Sequence, residues 1–244
     1  MSKRLRFLSY HLTLSVLITL CVLVAVYWVW YPFPLAKAVG VTHILLMLIA
    51  IDVVLGPALG FLVYKEGKKT LKFDLTVIIL LQASALGYGV YSIEQGRPAW
   101  LVLHAERFEL IRKNEIILDR IDQVPEQYQQ VSWTGPQFVA VKPSKNIQEH
   151  NDDVFIEVLG KVSLAQQPER YEPLSNAPHR IKHVAQSLAL LSQFNDKSSV
   201  TEILTKYPQA NAYLPLKANA VDMTVLINKD TTEIIKIVDL RPWK

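Results

Sequence analysis

The chain has 244 residues, half of them hydrophobic, with a formal charge of +4 and one cysteine. From Glu94 onward it carries 18 Lys/Arg against 19 Asp/Glu, which leaves 8 against 3 in the first 93 residues. The excess positive charge therefore belongs to the apolar half, which excludes a basic nucleic-acid patch on the second half; Cys21, in the first apolar run, leaves the second half without disulfides or Cys-based zinc sites.

The first apolar run, about residues 10–30, has no formal charge. At 1.5 Å of rise per residue, about 20 residues cross the hydrocarbon layer. Tyr27, Trp28, Trp30 and Tyr31 crowd its far end, where amphipathic rings favour the membrane interface. Pro32 and Pro34 then end the helix. The run is too long for a cleaved signal peptide, and Leu20 is too large for a lipobox ahead of Cys21, so it reads as a retained anchor. A second helix is predicted over about residues 39–64, apolar but for His43 and Asp52. A third is predicted over about 75–93 and includes Gln82 and Ser84.

Orientation follows from the basic residues in the short flanking loops. Lys3, Arg4 and Arg6 precede the first helix; Lys65, Lys68, Lys69 and Lys72 lie between the second and third; the first loop has only Lys37. Both basic segments are expected in the cytoplasm. Residues 94–244 then lie across the membrane, in the periplasm of a Gram-negative bacterium, and residues 1–93 in its inner membrane.

A carboxylate in mid-membrane costs several kcal/mol unless protonated, paired or hydrated. Asp52, Gly56 and Gly60 are spaced i, i+4, i+8 and share one helix face. Gly56 and Gly60 have the spacing that lets helices approach closely. Pro57 frees the carbonyl of Val53, which then needs another donor. The third helix offers Gln82 and Ser84 as polar partners, with Ala83/Gly87 and Ala85/Gly89 as small-residue pairs. Packing within the chain, docking of a foreign transmembrane helix and an ion pathway are the three readings, the last poorly served by three helices with one acid.

Residues 94–244 read as a small α+β domain. Strands are predicted at Trp100–Leu103, Phe108–Ile111, Ile116–Leu118, Phe138–Val141, Val154–Val158, Tyr213–Leu216, Val221–Ile227 and Glu233–Leu240. Residues 143–153 read as a polar loop. A helix is predicted from Pro178 to Phe194, capped by Ser175 or Asn176, with Ile181, Val184, Ala185, Leu188, Leu191 and Phe194 as its apolar stripe. A shorter one is predicted from Ser199, where Ser199 and Glu202 match a capping box, to Tyr207.

Catalytic signatures are missing: no nucleophile elbow, Walker loop, His-Glu-x-x-His or Cys-x-x-Cys occurs. No catalytic residue, cofactor or metal is assigned. His179 and His183, four apart on the predicted helix, could share a metal with Glu172 or Glu169, but a solvated helix face explains them as simply. Asp152 and Asp153 form an acidic pair in a loop setting that points to solvation.

The ordered motifs carry a resemblance. Asp52, Val53, Val54, Leu55, Gly56 and Pro57 are followed by Leu71, Lys72, Phe73, Asp74 and Leu75, then by Gln82, Gly87, Tyr88 and Gly89. Arg97-Pro98 and Glu106-Arg107-Phe108 lead into the second half, and Leu214-Pro215-Leu216 and Arg241-Pro242-Trp243 close it. This set resembles the TfpX/TfpZ (FimB-like) family of type IV pilin accessory proteins over nearly the whole chain. The resemblance implies a non-enzymatic inner-membrane protein that helps assemble or display a pilin, with the pilin, the inner-membrane assembly machinery and the lipid bilayer as partners. The Asp52–Gly56–Gly60 face would then contribute helix contacts. The alternative is a membrane-anchored periplasmic sensor or binding module; against it, the cytoplasmic segments are too short to hold an output domain.

Overall fold

A computed structural model describes residues 2–160 and 162–244. They divide into two compact units, one of residues up to 36 together with 41–96, the other of residues 37–40 together with 97–244.

The first unit holds three helical spans, Lys3–Trp30, Thr42–Val63 and Leu71–Gln95, each long and apolar enough to cross a membrane. The first starts at residue 3 rather than 10, because the Ser2 hydroxyl accepts the Leu5 amide and caps it ahead of the basic residues. It comprises α1 (Lys3–Val24) and a π-helical end, Ala25–Trp30. A short α2 (Leu35–Val39) follows the two prolines. The second span is α3 (Thr42–Ile49), a π turn (Ala50–Leu55) and α4 (Gly56–Val63). The third, α5 (Leu71–Gln95), begins where Asp74 takes the Thr70 hydroxyl at 3.0 Å and the Lys68 ammonium at 2.7 Å.

The second unit is built on an eight-stranded mixed sheet, which makes the chain a membrane-anchored α+β protein. β1 (Pro98–His104) and β2 (Arg107–Arg112) form a hairpin at its centre. β3 (Gln137–Val141) runs parallel to β1, and β4 (Tyr171–Pro173) closes that edge. Helices α6 (Glu126–Gln129) and α7 (Ile147–Leu159) lie in the connections around β3. α8 (Pro178–Val184), β5 (Gln186–Ser187) and α9 (Lys197–Lys206) lead to β6 (Ala212–Lys217). β6 runs parallel to β2, and the hairpin of β7 (Met223–Asn228) and β8 (Glu233–Val238) completes the other edge. Trp100, Tyr128 and Tyr171 pack edge to face with centroids 5.5–5.7 Å apart in one apolar cluster. Leu191, Tyr213 and Leu226 belong to another.

Several local expectations fail here, among them the cap expected from Ser175 or Asn176: the N-cap of α8 is Ala177, with no side-chain bond. Residues 143–153 and 154–158 are not loop and strand but mainly α7, capped by the Asn146 side chain. The helix predicted to run to Phe194 stops at Val184: Ala185 turns extended, and Gln186 and Ser187 pair with Tyr213 and Ala212. Sheet pairing thus overrides the helical stripe. Residues 116–118 form no strand. Ser199 lies inside α9, whose N-cap is Asp196, and Glu202 pairs with Lys206 at 2.7 Å instead of capping.

Residues 37–40 are bound into this second unit. The Ala38 carbonyl accepts the amides of Ala220 (2.9 Å) and Val221 (3.1 Å), and Lys37 donates to Asp239 at 2.6 Å. Gly40 has φ +82°, and a Cβ there would lie 2.9 Å from the Ala220 methyl, so only glycine fits the turn.

Candidate contact site in the membrane helices

The π turn at Ala50–Leu55 shifts the hydrogen-bond register by one. Gly56 N–H donates to Ile51 rather than Asp52. Pro57 would continue this pattern to Asp52 but has no N–H, so the freed carbonyl is that of Asp52 and not of Val53 as expected from an α-helix. Gln82 supplies the missing donor, its Nε2 giving a 3.2 Å bond to the Asp52 carbonyl. Gly56 makes room for it: a Cβ at that position would sit 1.6 Å from Gln82 Nε2.

Asp52 is 6% exposed, and its Oδ2 accepts a long 3.5 Å bond from Thr19. Gly60 faces the Phe7 ring and His11 Nδ1, 3.0 and 3.3 Å from where its Cβ would stand. The Asp52–Gly56–Gly60 face is thus covered by the first and third spans of the same chain. The residues on the first span that the sequence reading passed over are His11, Ser15 and Thr19. They too are spaced by four, and Ser15 and Thr19 are buried. That spacing, in a run without formal charge, was the available signal.

Between α1 and α5 a crevice of about 290 Å³ remains. Its walls include Phe7, Tyr10 and Leu14 on one side and Ile79, Ala83 and Leu86 on the other, with His11, Ser15, Asp52 and Gln82 also lining it. His11 Nδ1 and Gln82 Oε1 are buried without hydrogen-bond partners. The crevice therefore joins an apolar wall to two side chains, His11 and Gln82, each with a hydrogen-bonding atom that the chain does not use, in a setting where a new hydrogen bond has little competition from water. Ser84 and Gly87 do not join it. Both are exposed on α5, and a Cβ at Gly87 would meet nothing within 4 Å.

The basic residues gather at one end of this unit. Arg4 Nε donates to the Phe61 carbonyl at 2.7 Å and its guanidinium lies 3.7 Å from the Phe61 ring centroid, while Lys3 is 3.6 Å from Glu66. Arg6, Lys65, Lys69 and Lys72 are exposed, and Lys68 pairs with Asp74.

In the second unit, His179 and His183 are exposed on α8, and Arg180 holds Glu172 at 2.6 Å. No group of three or more His, Cys, Asp or Glu able to hold a metal occurs among the described residues. Asp153 is not solvated: it is buried, with Arg170 bound to both carboxylate oxygens at 2.5 and 2.8 Å and the Ser144 hydroxyl at 2.7 Å. The guanidinium holds the Asp153 carboxyl below its ordinary value. Glu109 accepts from Arg107 at 2.8 Å and Ser163 at 2.9 Å, with His104 3.8 Å away. Burial alone would raise its carboxyl, but these contacts outweigh burial and pull it down to about 2.

The family model described as "Fimbrial assembly protein FimB" matches residues 1–40. Three curated relatives come from Dichelobacter nodosus. The fimbrial assembly proteins of serogroups I and E1 are 28% and 29% identical over 229 and 230 residues, 90% of this chain and 89% of each relative. That of serogroups C1 and C2 is 32% identical over 115 residues, 46% of this chain and 88% of the relative. No solved structure gives a significant match.

Proposed function

We propose, for a chain that belongs to the fimbrial assembly protein FimB family, a non-enzymatic accessory role in which it holds a pilin before or during assembly. Involvement in fimbrial assembly comes with the family; the step and the partner are our reading. The pilin's apolar helix would lie along the crevice between α1 and α5, and the second unit would meet the pilin head or the assembly machinery on the far side of the bilayer. The observation that carries this reading is the crevice itself, with an unused ring nitrogen on His11 and an unused amide oxygen on Gln82 beside a buried Asp52. A helix that brings a hydrogen-bond donor to that depth gains a bond that lipid cannot offer.

The proposed location is the inner membrane, with the N-terminus cytoplasmic and residues 97–244 periplasmic. Two observations support it. The basic segments share one end of the membrane unit, and residues 37–40, from the loop between the first two spans, fold with residues 97–244.

A photo-reactive residue placed at Leu14 or Ala83, on the crevice walls, tests the reading in native membranes. Capture of the pilin, and its loss when Asp52 and Gln82 are both replaced by Leu, is the expected result. Capture of nothing beyond the chain's own helices, or a deletion strain with normal surface pili, would sink it.

A further inference from the structure

Helix α7 is turned inside out. Three of its four acidic side chains turn toward the body of the unit while Asp152 is exposed: besides the Asp153 contacts, Glu149 accepts the Lys145 amide at 2.6 Å and lies 3.8 Å from Arg170. Glu157 accepts the Leu164 amide at 3.1 Å and stands 3.3 Å from His104. These contacts at both ends and the middle fix the rotation of the helix about its axis. Ile147, Val154, Phe155, Val158 and Leu159 lie on the opposite face, between 45% and 80% exposed. Their spacing of 0, 7, 8, 11 and 12 puts them on one side of the helix, with the exposed Asn151 between Ile147 and the other four. They leave roughly 600 Å² of largely apolar surface outward, the upper range for a monomer and a mark of an interaction site.

The stripe does not suit a lipid surface. Interfacial helices carry Lys and Arg beside their apolar face, whereas α7 has four acids and no Lys or Arg. Anionic headgroups would repel it. It does suit itself. Ile147 and Leu159 are each six residues from Asp153, so two antiparallel copies set Ile147 against Leu159 of the partner subunit at both ends. That arrangement opposes the two helix dipoles and brings the exposed Lys145 to the partner's C-terminal carbonyls. Two such faces, if fully covered, bury at most about 1,200 Å² in total, the lower bound of a standard stable interface. Anchoring in one membrane plane raises the effective concentration of the copies.

We propose that α7 is a self-association surface, on which a second copy of this chain docks antiparallel through Phe155, Val158 and their neighbours. The proposal does not rest on the fimbrial role. The test uses the full chain in native membranes with Cys21→Ser as background. Single variants Ile147→Cys and Leu159→Cys, co-expressed and oxidised with copper phenanthroline, are expected to give a crosslinked dimer several-fold stronger than either variant alone. Phe155→Glu with Val158→Glu is expected to abolish that band and to halve the mass measured in detergent, leaving the thermal transition unchanged. The proposal is overturned by a missing mixed crosslink. It is equally overturned by quenching of a Val158→Cys fluorophore by lipid-borne quenchers, by capture of a different protein only, or by a lowered transition showing that the face is internal packing.

Discussion

The two units treat buried carboxylates in opposite ways. In the sheet unit, Asp153 and Glu109 are enclosed by a guanidinium, hydroxyls and an imidazole, and their lowered titration follows from that enclosure. In the membrane unit, Asp52 has one long bond from Thr19, and a ring nitrogen of His11 and the amide oxygen of Gln82 nearby go unused. The first arrangement serves to hold secondary structure together. The second holds less and leaves more to offer, which is why the proposed contact site lies there. Removing a partner should therefore hurt the first unit most.

The largest effect is expected at Arg170. Replacing it by Met strands the buried Asp153 charge and should cost about 3–5 kcal/mol, read as a lower midpoint in chemical denaturation of the detergent-solubilised chain. The double variant with Asp153→Leu should recover most of that loss, because no charge is left unpaired. Next comes acid. Glu109 titrates at about 2 in the folded unit against an ordinary 4.5, so its contribution is complete above about pH 5 and disappears as pH falls toward 2. About 3 kcal/mol should be lost over that window, and Glu109→Gln should flatten the profile.

On the membrane side, Gly56→Ala should displace Gln82 and cost about 1–3 kcal/mol by overpacking. Gln82→Ala in the same chain should relieve the clash. If Gly56→Ala left the thermal transition and the crevice crosslinks unchanged, the close approach of the second and third spans would be refuted. The smallest effect belongs to Lys37. Its pair with Asp239 is more than half exposed on the lysine side, so Lys37→Ala should cost less than about 1 kcal/mol in the same melts.

What was legible in the sequence followed burial. The three spans and six of the strands announce themselves because their residues are apolar on the faces that pack. α7 was misread because most of its apolar residues point outward and three of its four acids inward, so Val154, Phe155, Ile156 and Val158 looked like a strand. The segment after Val184 was misread because its fate depends on pairing with β6, some 26 residues later, which periodicity cannot report. At the contact site, Asp52, Gly56, Gly60 and Gln82 were visible as exceptions in apolar runs. The carbonyl that Gln82 answers was not, because the π turn changes the register without a mark in composition.

The clamp on residues 37–40 has a consequence for biosynthesis. Ala38 leaves the ribosome some 180 residues before the Ala220 and Val221 amides that it binds, with two spans long and apolar enough to cross a membrane in between. The sheet unit therefore cannot close until both the second and third spans have been threaded and the C-terminal hairpin delivered to the same side. A chain inserted with one crossing missing would keep the two halves of this contact in different compartments. In the proposed topology, completion of the fold thus doubles as a record that both spans crossed.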